Sequence, residues 1–440
     1  MTETQALGDK QMAKQTFWSV LNEGSALVAT TVAFLLLGIQ LKASGYGAFL
    51  GVTAVIGPFS SFATGGTYLT LLDHMKRGGR SGVEVVRSCI SLAMSIGVAS
   101  TILTATIVLL SINGLSWQTV VLLCLGDLVF GSIANALVGA IQIERGFSTA
   151  ARLRIGYQTA RVAMLVALWR TSNLRLLPYA ASQTALWILF CIATSTIVHR
   201  IFQRTVLTGW GKKEDLKTVV TYSVGLSALS VQNDGDNFTL NKVGFVEDAG
   251  RYGFAYRLVQ LGLLPVHAFV GVTHVSFLEG SEVMRPIERA YRLARIAAIY
   301  VAFVSIVVLV AAPLVPRIVG HQYAGADNIM RWLVPLIFLR GIGTFAMNGL
   351  LGLGLNHLRT RILVINAAFT VGLYIWLIPR YSWKGAAIAT NMSEVTLFVA
   401  GWLTLFIYQR RADRSGVPTI EEPLTESEVA LEILEEGRSL

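Results

Sequence analysis

Ser223–Pro265 reads SVGLSALSVQNDGDNFTLNKVGFVEDAGRYGFAYRLVQLGLLP, two apolar segments around a polar turn expected at Glu247–Arg251. Each segment carries charge: Asp234 and Asp236 in the first, Arg257 in the second. In the first, Ser223, Ser227, Ser230, Asp234, Asn237 and Asn241 recur at steps of 3 and 4, so one helix face is polar throughout. In the second, Arg257, Gln260, His267 and His274 share about a third of the circumference at ~100° per residue, and Pro265 is expected to kink the helix. Lipid cannot solvate a polar stripe on a bilayer-length helix. Both stripes must therefore face protein or a water-filled cavity.

The rest of the chain fits that setting. Of 440 residues, 53% are apolar and 14% charged, and the mean hydropathy is +0.59. A soluble domain averages about 25% charged residues, so the composition points to an all-α, polytopic membrane protein. The net charge of +10 does not imply a nucleic-acid partner, because the basic residues sit in short loops between apolar runs. No signal peptide is evident in residues 1–15. Cys89, Cys124 and Cys191 lie in apolar runs and read as small buried hydrophobes.

Twelve apolar segments are long enough to span: 17–40, 46–72, 84–110, 117–141, 150–170, 178–202, 217–241, 251–278, 291–313, 327–353, 359–379 and 384–408. They divide the chain into a terminus 1–16, a six-helix bundle 17–203, a linker 204–216, a second bundle 217–409 and an acidic tail 410–440. With the N-terminus inside, the inner segments hold 23 Lys and Arg and the outer ends 9, so both termini are expected in the cytoplasm. Trp117, Trp169, Trp332, Trp376 and Trp383 fall near the outer ends, as in an aromatic belt.

The halves resemble each other. Gly45-Tyr-Gly47 precedes an apolar run and Pro58; Gly250-Arg-Tyr-Gly253 precedes an apolar run and Pro265. Asn135-Ala-Leu-Val-Gly139 and Asn348-Gly-Leu-Leu-Gly352 each fall late in the fourth helix of their half. The two bundles are expected to form a parallel repeat, with a site where they meet.

Ionisable groups inside the membrane cost ~2.5–3.5 kcal/mol each on insertion scales and are the candidate functional residues. Counted from helix ends, three pairs match in depth: Asp127 with Arg161, Asp236 with Arg257, and Arg340 with Glu394. One reading is three ion pairs holding helices in register. The other takes Arg161, Arg257 and Arg340, with Gln260 and Asn237, as a lining for an anionic head group, since guanidinium is a planar fork matched to phosphate. Asp127, Asp234, Asp236 and Glu394 are then candidates for a coupling proton or sodium ion. Glu23 reads as a contact at the inner end of the first helix. His267 and His274 are ~10 Å apart along a helix, too far for one metal. No phosphate loop for ATP and no catalytic triad stands out, so the chain is not expected to be an enzyme or to need a cofactor.

Asp236, Gly250-Arg-Tyr-Gly253 and the apolar helix with Pro265 resemble the start of the second half of the polysaccharide transporters, the O-antigen and capsule (Wzx-type) flippases of the multidrug/oligosaccharidyl-lipid/polysaccharide exporter superfamily. The resemblance covers about residues 14–410 and lies in helix layout and scattered Gly, Asn and Asp positions. It implies two six-helix bundles around a cationic cavity in a bacterial cytoplasmic (inner) membrane. It also implies alternating-access transfer of a polyprenyl-(pyro)phosphate-linked glycan, driven by a proton or sodium gradient or the membrane potential, alongside other polysaccharide-assembly proteins. A cation-coupled multidrug exporter of the same superfamily is the alternative. A membrane polymerase or ligase is disfavoured, because no large outer loop exists.

Overall fold

A computed structural model of the chain describes residues 3–71, 82–170, 175–202, 212–266, 269, 286–353 and 355–415. Among them the secondary structure is entirely helical. The first helix, α1 (Glu3–Ser60), runs on through a π-helical segment, Ser61–Gly66, to Leu71. One residue interrupts it: Lys42, at φ 59° and ψ 174°, turns the chain back and divides α1 into two arms. There follow α2 (Gly82–Ser111), α3 (Trp117–Cys124), a second π segment (Leu125–Phe130), α4 (Gly131–Arg145), α5 (Phe147–Trp169) and α6 (Leu176–Phe202). The second half has α7 (Lys213–Lys242), α8 (Val246–Gly262), α9 (Pro286–Ala311), the short α10 (Val315–Val319), α11 (Ala326–Gly352), α12 (Asn356–Tyr381) and α13 (Trp383–Ser415).

Eight of the described helices are long and apolar enough to cross a membrane. The arms of α1 account for two passes within one of them. The helices that miss that standard are α5, α7 and α8, which carry Arg152, Arg154, Arg161, Asp234, Asp236 and Arg257. The twelve expected segments are all helical where described. Local chemistry sets the corners. Ser116 caps α3 by accepting a hydrogen bond from the Thr119 amide at 3.3 Å. Gly146 (φ 84°) separates α4 from α5, and Gly244 (φ 95°) separates α7 from α8.

Two sequence expectations need correction. The turn between the segments of the opening stretch lies at Val243–Phe245 rather than Glu247–Arg251. Glu247 and Asp248 instead occupy the first turn of α8, where the helix dipole favours carboxylates. The first two spans are not joined by a loop, because a single residue suffices to reverse the chain. Near Pro265, α8 ends at Gly262 and a further helical turn follows at 264–266. His267, His274 and the acidic tail beyond Ser415 lie outside the described residues, as does the side chain of Glu23.

The helices sort by packing. In the first half α1 lies on α5, α2 on α4, α4 on α5 and α6, and α3 on α6; in the second α9 and α13 lie on α11, α12 on α13 and α7, and α8 on α11. The seam between the halves is made chiefly by α1 against α7 and α8. It is close-packed at the end of the bundle that holds Lys42. A Cβ built on Gly250 would come within 2.7 Å of the Ala43 carbonyl carbon, and one on Gly47 within 2.8 Å of the Gly250 nitrogen. Asn241 Nδ2 donates to the Gly47 carbonyl at 2.9 Å, and the Tyr323 hydroxyl, fully buried, donates to the Gly38 carbonyl at 2.6 Å.

Candidate functional site

A cavity of about 120 Å³ lies on the seam. The first arm of α1 contributes Thr30, Thr31 and Phe34; α8 contributes Arg257 and Gln260. Tyr46 and Phe254 also line it. Arg257 and Gln260 share a face because they are three residues apart on a helix. Arg257 Nη1 donates to Gln260 Oε1 at 2.9 Å, and Nη2 donates to Asp234 Oδ1 on α7 at 2.8 Å. The guanidinium stands 4.4 Å from the centroid of Phe34, across the seam. The side chains of Arg257 and Asp234 are 26% and 23% exposed, so the pair is not sealed, and Arg257 lines the cavity.

Tyr46 completes the site. It has no exposed surface, its ring meets Phe254 edge-on at 6.1 Å, and its hydroxyl has no hydrogen-bond partner among the described residues. A buried unpaired hydroxyl costs ~1–3 kcal/mol, so it is suited to a bound polar group. The sequence signal was the Gly45-Tyr-Gly47 motif, which reads as a repeat marker and gives no hint that the hydroxyl reaches the seam.

Beside this site the second half holds a buried polar network. Arg340 Nε donates to Glu394 Oε1 at 2.9 Å, Nη2 reaches the same oxygen, and Nη1 donates to the Tyr256 hydroxyl at 2.9 Å. Gln232 Nε2 adds a longer bond to Glu394 at 3.4 Å. Asp236, fully buried, accepts the Asn237 amide at 2.7 Å, Asn237 Nδ2 at 3.0 Å and Thr390 Oγ1 at 3.4 Å. Tyr252 and Tyr374 bond Thr390 at 3.1 and 3.3 Å, and Tyr374 also donates to the Gln232 carbonyl at 2.9 Å.

The first half is built differently. Asp127 lies in the π segment and accepts a hydrogen bond from Trp187 Nε1 of α6 at 2.7 Å. Trp187 stacks on Tyr157 at 4.2 Å, and Gln183 Nε2 donates to the Tyr157 hydroxyl at 2.9 Å. Arg161 turns to the Tyr179 hydroxyl, and its Nε has no partner among the described residues.

Of the three depth-matched pairs, therefore, only Arg340–Glu394 is in contact as expected. Arg257 pairs with Asp234, not Asp236. At ~100° per residue the two aspartates point to opposite sides of α7, and Asp236 turns into the second half. Asp127 and Arg161 are close enough to interact electrostatically but do not form an ion pair. The repeat adds a pattern: Asp127 precedes Asn135 by the same eight residues as Arg340 precedes Asn348. Equivalent positions thus hold opposite charges, each bonded to the sixth helix of its own half.

This all-helical, multi-pass arrangement matches solved transporters. An inward-facing multidrug resistance MATE family transporter of the MOP superfamily superposes with a TM-score of 0.65 at 14% identity, over 90% of this chain and 96% of that one. The MATE multidrug transporter DinF-BH gives 0.63 at 15% identity, over 90% and 95%. A MOP superfamily transporter from Pyrococcus furiosus, described as having a binding pocket of reverse polarity, gives 0.55 at 14% identity, over 90% and 92%. No protein-family model and no curated protein matches the chain by sequence. The chain thus has the fold of the MATE transporters, a polytopic membrane fold.

Proposed function

We propose that the chain is a secondary transporter that moves an amphiphilic solute by alternating access, with the seam cavity at Arg257 as its central site. The observation that carries this reading is the cavity itself: polar groups from both halves meet there on apolar walls, at a seam sealed at the Lys42 end. Arg257, Gln260 and Tyr46 contact the cargo in this scheme, and Asp234 holds Arg257. Arg340 and Glu394 use up each other's charge and act as a clamp. Asp127 and Asp236, each bonded to neutral groups, are the candidates for a coupling proton or sodium ion, with Asn237 beside Asp236 and Arg161 beside Asp127.

Two cargoes fit. A lipid-linked oligosaccharide with its (pyro)phosphate is favoured by the Arg257 fork beside Phe34, Tyr46 and Phe254, since aromatic faces and hydroxyls suit a sugar. It accords with the flippase resemblance and would place the chain in a bacterial inner membrane, termini inside, beside polysaccharide-assembly proteins. A cationic amphiphile is favoured by Asp234, which neutralises Arg257, and by the multidrug exporters among the similar folds. A deletion strain separates them: accumulated lipid-linked oligosaccharide supports the first, and drug hypersensitivity without accumulation supports the second. Complementation then tests the site. For phosphate binding, Arg257→Lys impairs transport despite keeping charge, and Arg257→Ala with Asp234→Ala recovers membrane abundance but not transport. For a cationic cargo the double variant also loses its carboxylate, and Arg257→Ala alone enhances export. Normal transport of either cargo by the double variant would remove Arg257 from the site.

A further inference from the structure

Two grooves lie away from the seam, one in each half. One, of about 680 Å³, runs between α11 and α13 with Arg331 and Trp332 at one end and Pro335, Leu339 and Ile388 along its walls. The other, of about 690 Å³, runs between the first arm of α1 and α5, with Val28, Val32 and Ala163 along its walls and Arg170 at one end. Their volumes and lengths correspond. From Asn328 to Leu339 and from Gln158 to Arg170 the helices rise about 16 and 18 Å, at 1.5 Å per residue. That is roughly half of a ~30 Å hydrocarbon core, or the depth of one leaflet.

The charges correspond too. The helices alternate in direction, so Arg170, at the end of α5, and Arg331, near the start of α11, lie at the same end of the bundle, the Lys42 end. Both residues are exposed, and among the described residues neither side chain makes a hydrogen bond or an ion pair. By the sequence count nine basic residues are expected at this end against twenty-three at the other, and one of the nine stands at the mouth of each groove. Trp332 beside Arg331 and Trp169 beside Arg170 mark the depth of a membrane interface. In the first groove Asn391 Nδ2 donates to the Trp332 and Ala387 carbonyls at 2.9 Å each, while its Oδ1 is buried and unpartnered.

We infer that each groove is a binding site for one anionic phospholipid of the leaflet at the Lys42 end, with an acyl chain along the apolar wall and the phosphate on Arg331 or Arg170. An apolar trough of one-leaflet depth ending in an exposed guanidinium complements such a lipid in length, polarity and charge. A zwitterionic lipid fills the trough equally well but brings its own cation to the guanidinium. The inference holds for either cargo.

The test uses the full-length protein in phosphatidylcholine bilayers with trace spin-labelled phosphatidylglycerol or phosphatidylcholine, reading the motionally restricted fraction of each. The wild type is expected to prefer phosphatidylglycerol by about fivefold per site, the effect of one basic side chain near a membrane surface. Arg170→Gln with Arg331→Gln brings the preference to near unity, whereas the two Lys variants keep most of it. Ala163→Trp with Ile388→Trp, which fill the troughs, lower the restricted fraction of both lipids. Equal association of the two lipids with the wild type, or an undiminished preference in the double Gln variant, would overturn the proposal.

Discussion

Gly250→Ala tests whether the seam at the Lys42 end is a closure that must open. The added Cβ would meet the Ala43 carbonyl carbon at 2.7 Å and its Cα at 3.1 Å. The Ala43 carbonyl oxygen lies nearer still and would overlap the new methyl outright; since carbon atoms pack best at about 3.5–4.0 Å, α1 and α8 must move apart by more than about 1 Å. The obstacle is backbone, which no rotamer change relieves. Overpacking of this kind costs about 1–3 kcal/mol, all of it borne by the closed arrangement. A two-state equilibrium then shifts toward the open form by about 5- to 150-fold. Spin labels on cysteines at Asn113, in the α2–α3 turn, and Lys384, at the start of α13, lie exposed at this end on different halves. Their distance is read by double electron–electron resonance after replacing Cys89, Cys124 and Cys191. A longer-distance population should appear or grow in Gly250→Ala. Gly372→Ala is the control, since a Cβ there meets nothing within 4 Å. Indistinguishable distance distributions from the two variants, with equal thermal stability, would refute the reasoning.

Tyr46→Phe removes a buried hydroxyl without a partner, so Tm should hold or rise, by up to about 1 kcal/mol of stability, while the apparent affinity for cargo falls. A marked loss of Tm would show that the hydroxyl serves the fold instead. For orientation, cysteines at Asn113 and Lys384 should react with an impermeant maleimide on intact cells, and a cysteine at Lys213 should not; the reverse pattern would invert the bundle in the membrane.

Much of the architecture was legible because the bilayer imposes it. Apolar runs of span length fixed the helices, and the 3- and 4-residue recurrence of Ser, Asp and Asn fixed which face of α7 is turned inward. Depth counting found Arg340 and Glu394, which do meet. It failed for Asp236 because depth ignores azimuth: two residues apart is a small step along a helix and a half-turn around it. The π segments left no mark in hydropathy, and one of them sets the aim of Asp127. Tyr46 was quoted only as part of a repeat, since its role depends on Phe254 and Arg257 arriving from more than two hundred residues away in the chain. Cys89 and Cys124 are fully buried, as apolar context implied, whereas Cys191 is only half-buried, because an apolar run in a bilayer has lipid-facing as well as inward-facing positions.

The corner at Lys42 stores mechanical energy. Its φ of 59° with ψ of 174° is a conformation that side chains other than glycine rarely adopt, at a cost of about 1–3 kcal/mol. What holds it down comes from the other half: the backbone of Gly250 against Ala43, Asn241 on Gly47 and Tyr323 on Gly38. All three restraints come from the opposite bundle, so a parting of the halves would release them together. The corner is a compressed spring under a catch, and the catch belongs to the opposite bundle.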